Sequence, residues 1–204
     1  MCNVNVVRYT SKQQARTIVH NGVRQGLEER KLITEKEQSM DSKEVKALAD
    51  FLIADYQNEM QTTVRVIEAV PASHLDYRPD PKSKTGLALV RHIVLEDEWL
   101  LNSIADGQFA TPPDDSDACG IMTPAQAAAR YKEKVPAALK RVGAMSGEKL
   151  AGVIDLFGMV KMPGVNFLGM AIKHSVHHRG QLSTYLRPMG GAVPGIYGPS
   201  ADTQ

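Results

Sequence analysis

An all-α fold, a four-helix bundle preceded by a poorly structured or loosely helical N-terminal extension, is what this sequence predicts. Three observations carry the expectation. Apolar residues recur at spacings of three and four through four long runs. Those runs open on capping residues and close on Gly or Pro, and the segments between them are rich in Pro, Gly and Asp. With 204 residues, 43% of them hydrophobic and 23% charged, the chain has enough apolar surface for one core.

Residues 1–39 are polar and charge-mixed, as in LEERKLITEKEQ, and lack a sustained apolar stripe. They read as an extension, or as the product of an upstream start codon, since Met40 is followed at once by the capping residues Asp41 and Ser42. The bundle domain is placed over 40–204. Its first helix carries Val45, Leu48, Leu52, Ile53, Tyr56, Met60, Val64, Ile67 and Val70 on one stripe and ends before Pro71. After the turn-rich PASHLDYRPDPKSKTG, a second run from Leu87 to Asp106 is stopped by Gly107. Thr123 and Pro124, a cap and a first-turn proline, open the third helix, in which Pro136 is expected to cause a kink. The stretch from Val153 to Val160 is short, apolar and interrupted by Gly158, and reads as an extended connection or a brief strand pair. The last helix follows Pro163 and runs to Pro188, leaving a tail without periodicity.

Formal net charge is +1, with Lys and Arg dispersed, so nothing in the charge pattern fits nucleic acid or an anionic membrane as partner. No stretch has the length of a signal-peptide core or a membrane-spanning helix. The two cysteines, Cys2 and Cys119, lie far apart and suit unpaired thiols in a reducing cytoplasm better than a disulfide.

Of six histidines, His174 and His178 stand one turn apart, about 40° around the last helix, where both imidazoles can address one ion. Phe167, Ala171 and Tyr185 share the His178 side of the wheel, which places His178 in the buried stripe and His177 on its flank. A buried imidazole pair needs hydrogen-bond partners or a metal, and a metal needs a ligand from another helix. His20 lies in the extension and His74 in a loop. His92, mid-helix among Leu89, Val90, Ile93 and Leu95, is the natural third ligand of a divalent-metal site. Any one of the three alone would read as a satisfied core histidine.

Other chemistry finds little footing. Ser175 stands where the zinc-protease helix requires a glutamate as general base, and there is neither a phosphate-binding Gly-rich loop nor a Gly-x-Ser-x-Gly elbow. Glu96, one turn beyond His92, is a fourth ligand, an outer acceptor, or part of a solvated face. Asp97 and Glu98 read as surface residues.

The segments HSVHHRGQL and LVRHIVLEDEWLL together resemble the DinB/YfiT-like superfamily of four-helix metalloenzymes, over roughly residues 41–190. The resemblance implies a divalent ion, zinc or nickel, on His92, His174 and His178, with water in the open position. It further implies up-up-down-down topology with a long crossover, a homodimer, and no counterpart for the extension. Better-understood relatives are transferases and isomerases using a low-molecular-weight thiol, in which the metal converts the thiol to a nucleophilic thiolate. Arg179 and Gln181 belong to the same motif and are as suited to tying the helix to its neighbours as to binding substrate.

The leading functional expectation is thus a metal-dependent thiol transferase or hydrolase acting on a small molecule through a metal-bound thiolate or hydroxide. The competing one is a stress-related metal-binding or oligomerisation protein without turnover. A polar cavity over the ion favours the first, and a site closed by Phe167, Trp99 or Tyr185 the second.

Overall fold

The computed structural model describes residues 40–203; the extension, with Cys2 and His20, lies outside the described residues. The first helix begins where Asp41 caps it. Its carboxylate accepts from the amides of Lys43 and Glu44, and the Glu44 side chain accepts from the amide of Asp41. Helix α1 spans Ser42–Glu68. Tyr56, Met60 and Ile67 of the expected stripe are buried, but so are Ala49, Thr63 and Val66, while Leu48, Leu52, Ile53 and Val64 flank them half-buried. Thr63 tolerates burial because its hydroxyl donates to the Glu59 carbonyl at 3.1 Å, within its own helix.

Thr85 caps α2, Gly86–Asp106, by accepting from the Ala88 amide, and Gly107 ends it in the left-handed conformation at φ 71°. A single 3-10 turn, Asp117–Cys119, interrupts the connection to α3, Pro124–Gly143, which opens on a Thr123–Gln126 capping box. Helix α3 runs through Pro136 unbroken to Gly143. Pro136 is exposed, as is Lys132, whose carbonyl loses its helical partner, so water can take that bond. A five-residue helix α4, Gly147–Ala151, was not evident from apolar spacing. The strand-pair reading holds: β1, Val153–Leu156, pairs antiparallel with β2, Val160–Pro163, around Phe157 and Gly158, both at positive φ. Helix α5, Gly164–Leu186, completes the bundle.

The directions of the four long helices follow from who touches whom. Tyr185 reaches the Lys84 carbonyl just ahead of α2, and Ser175 reaches Asp97 further along it, so α2 and α5 are antiparallel. Arg130 pairs with Glu98 and Arg141 with Asp106, so α2 and α3 run parallel. Lys132 meets Glu68, and Gly143 faces Ile53, so α1 and α3 are antiparallel. The order is therefore up-down-down-up, which corrects the up-up-down-down order implied by the resemblance. The reason lies in residues 69–85. There the amide of Gly86 donates to the Tyr77 carbonyl and that of Leu87 to the Leu75 carbonyl, folding the chain back at the same end of the bundle. The long crossover falls instead between α2 and α3. It returns along α2, held where Trp99 donates to the Ala110 carbonyl at 3.0 Å and Arg91 to the Ile121 carbonyl at 2.6 Å. Among the described residues, no helix is long and apolar enough to cross a membrane.

The start of α4 packs against the start of α1 without room for a side chain. A Cβ on Gly147 would lie 1.7 Å from the Ser42 carbonyl oxygen. Gly147→Ala is expected to cost at least about 2 kcal/mol and to lower Tm by about 4–8 °C in a thermal melt. Gly180→Ala, where nothing lies within 4 Å, should be neutral or stabilising. Equal melting of the two variants would show that the α1–α4 contact is not tight.

Candidate metal centre

Antiparallel packing of α2 on α5 sets His92 opposite the turn that carries His174 and His178. One ligand nitrogen from each lies within 4.8 Å of the others, and all three residues are half-buried. His92 Nε2 and His178 Nε2 are 3.2 Å apart. Ring centroids lie 4.5 Å apart for His92–His178 and for His174–His178, and 5.4 Å for His92–His174. His177 is exposed, its ring centroid 4.7 Å from that of His178, and it is not one of the three clustered residues. His74 sits in the α1–α2 connection at φ 58°, outside the group.

The far nitrogen of each ring faces an oxygen. His178 Nδ1 lies 3.0 Å from Gln181 Oε1, His92 Nδ1 3.5 Å from Asp115 Oδ2, and His174 Nδ1 3.8 Å from Asp97 Oδ1. Asp115 comes from the crossover and is also held by Lys84 at 2.5 Å. Burial first, and the neighbouring charge of His178 next, lower His92 to about 4. Burial also lowers His178, against the upward pull of Gln181. Near neutrality both imidazoles are uncharged, the form whose lone pair can bind a cation. For His92 and His178 the spacing suits one as well. Two zinc–nitrogen bonds of about 2.05 Å at the tetrahedral angle hold their nitrogens about 3.3 Å apart, close to the 3.2 Å between His92 and His178.

Three sequence expectations need correction. Asp97 is fully buried rather than on the surface, its Oδ2 accepting from Tyr131 Oη at 2.9 Å and Ser175 Oγ at 2.7 Å. Glu98 is half-buried and paired with Arg130 at 2.9 Å. His178 lies beside the most buried stripe of α5, whose centre is Ala171, Ser175, Arg179 and Leu182. The legible signal was polar residues on that stripe: Ser175 and Arg179 each required a partner across the core.

Arg179 finds its partners on α1 and in the C-terminal segment. It donates to the Glu59 carboxylate and to its backbone carbonyl at 3.2 Å, and to Tyr197 Oη at 2.5 Å, with the Tyr197 ring against the guanidinium at 5.2 Å. It ties helices together and does not face the histidines. Glu96 is not one of the three clustered ligands. It is half-buried, and burial raises its carboxyl above the ordinary range while His174 pulls it down. The aromatic residues weighed as a plug pack elsewhere. Phe167 and Trp99 gather around Phe109, at 4.9 and 5.1 Å, and Tyr185 meets Tyr77 edge-on at 5.6 Å. Among the described residues Cys119 has no disulfide partner and is a half-exposed thiol.

A family model described as the DinB family matches residues 28–204. The match is wider than residues 41–190 and reaches into the segment read as an extension without counterpart. The chain is 29% identical over 142 residues to the uncharacterized protein YjoA of Bacillus subtilis, covering 68% of this chain and 89% of YjoA. A DinB-like protein from Bacillus cereus aligns with TM-score 0.61 and 24% identity, over 72% of this chain and 95% of that one. YfiT from Bacillus subtilis, described as a probable metal-dependent hydrolase with an unusual four-helix bundle topology, aligns with TM-score 0.56 and 16% identity, over 76% of this chain and 93% of YfiT. At these identities the structures share the fold.

Proposed function

This chain belongs to the DinB family, and we propose that within it the protein is a metal-dependent hydrolase of a small molecule, with His92, His174 and His178 as the ligands of a zinc or nickel ion. The carrying observation is the convergence of three imidazole nitrogens within 4.8 Å, each ring backed by an oxygen at its other nitrogen. The description of YfiT as a probable metal-dependent hydrolase supports the same reaction class. A divalent ion held by His92, His174 and His178 would supply Lewis acidity to an exogenous group.

The chain's own residues do the rest. The lowered pKa values of His92 and His178 keep both rings uncharged near neutral pH, so each retains one nitrogen lone pair for a cation. The crossover holds Asp115 against His92 through Lys84, while Arg91 pairs with Asp117 at 2.7 Å and fixes the loop. Glu96, half-buried one turn beyond His92 with its carboxyl raised by burial, is the residue we assign to accept a proton from an attacking nucleophile and return it to a leaving group.

The test is a panel of ester, amide and thioester substrates offered to zinc- or nickel-loaded protein, with and without low-molecular-weight thiols. Turnover in water alone is expected, and turnover only with thiol would assign the transferase chemistry of the thiol-dependent relatives. Glu96→Gln should keep its ion yet lower kcat by about 10²–10⁴. Metal-loaded protein inert to every substrate would support the non-catalytic, metal-binding role.

A further inference from the structure

Three buried polar atoms lack a hydrogen-bond partner among the described residues: Tyr56 Oη, Asp97 Oδ1 and His174 Nδ1. Two of them face each other, Asp97 Oδ1 and His174 Nδ1, at 3.8 Å. One is an acceptor and the other can be a donor, and a movement of about 0.8 Å brings them to ordinary N–H···O length. The other Asp97 oxygen is held on both sides, by Tyr131 from α3 and Ser175 from α5. The carboxylate is therefore fixed in the core, with its second oxygen left to His174 and to the nearby Tyr56 hydroxyl, the third unpartnered atom.

The charge balance points the same way. Asp97 is 0% exposed, and among the described residues no Lys or Arg pairs with it; the basic group facing it at 3.8 Å is His174, with His178 farther off. A buried carboxylate without a cation is costly unless something beyond its immediate partner supplies positive charge. A dication on the opposite nitrogen of His174 would do so through the ring. The backing oxygens of the other two ligands are held differently: Asp115 lies on the crossover and Gln181 on the half-buried flank of α5. Only His174 is backed from within the core.

We propose that Asp97 is a positioning residue that fixes His174 in the tautomer carrying its proton on Nδ1, so that Nε2 presents a lone pair to the metal. A neutral imidazole holds one proton, and an acceptor at Nδ1 decides where it sits. Asparagine has the same shape but reverses the instruction. Its oxygen must stay with the Tyr131 and Ser175 hydroxyls, which turns its amide N–H toward Nδ1 and selects the proton on Nε2, where it blocks the cation. The consequence for affinity rests on the metal reading above, but the tautomer does not.

The experiment is nitrogen-15 NMR of the histidine rings in the metal-free full chain, for wild type and Asp97→Asn, followed by zinc affinity from competition with a chelator. Wild-type His174 is expected to carry its proton on Nδ1 and the variant on Nε2, with zinc affinity 10- to 100-fold weaker in the variant. Tyr131→Phe, which keeps the carboxylate, should retain the wild-type tautomer and bind zinc far better than Asp97→Asn. A wild-type His174 protonated on Nε2 would overturn the proposal without any variant, which covers failure of Asp97→Asn to fold. So would an unchanged tautomer and affinity in a folded variant. The expected tautomers with no zinc bound by either protein would uphold the positioning role while removing the metal reading.

Discussion

Alanine at His92, His174 or His178 is expected to reduce the bound ion from about one per chain to none by elemental analysis, while His177→Ala retains it. The difference arises from geometry one residue wide: His178 Nε2 stands 3.2 Å from His92 Nε2, whereas His177 is exposed on the outer side of the same turn. Two remaining imidazoles cannot hold the ion against buffer, because three protein ligands are the minimum of the open sites this arrangement matches. Stability should report the same split. An ion at one hundred times its dissociation constant adds about 2.7 kcal/mol, which for a chain of this size raises Tm by about 5–10 °C. Wild type and His177→Ala should show that rise with zinc or nickel and lose it to a chelator, and the three ligand variants should show none. Loss of the ion from His177→Ala alone would mean that the wrong pair of histidines has been assigned.

Glu59→Ala is expected to be the most damaging single substitution away from the histidines, at about 3–5 kcal/mol in urea unfolding. Its partner explains why. The Arg179 side chain is 1% exposed, and the Glu59 carboxylate is the anion that pairs with it in the core. Truncating Glu59 leaves a guanidinium in the core with only the Glu59 backbone carbonyl and the Tyr197 hydroxyl. Such a loss is a large share of the roughly 5–15 kcal/mol that holds a domain folded. The double variant Glu59→Leu with Arg179→Met removes both charges and should recover most of it. If the double variant is as unstable as Glu59→Ala, the cost lies in packing rather than in an unpaired charge.

Much of this architecture could be read from residue spacing. The stripe from Val45 to Ile67, the Asp41 and Thr123 caps and the stop at Gly107 define helices that the structure reproduces closely, because caps and apolar periodicity are local properties. The His92, His174 and His178 cluster was legible for a related reason: one turn between two histidines is local, and few other histidines could supply a third nitrogen. The buried Asp97 was not. In the run Glu96-Asp97-Glu98 three carboxylates look alike, and only Tyr131 on another helix and Ser175 beside His174 distinguish the middle one. Helix direction was equally hidden, since it depends on how residues 69–85 fold back. The short helix α4 escaped notice because five residues carry too few apolar positions to show a period.

The last long helix holds both histidines of the pair and Arg179, and the partners of these residues lie far upstream: His92 is 86 residues before His178, and Glu59 is 120 before Arg179. A chain still leaving the ribosome can therefore form α1, α2 and α3 but has neither an ion site nor an anion–cation lock until the whole of α5 has emerged. Docking of that helix is expected to be the long-range step of folding, because its partners are the most distant along the chain. An ion that recognises only the docked helix acts as a brake on its departure: it prolongs the life of the finished molecule without hastening its birth.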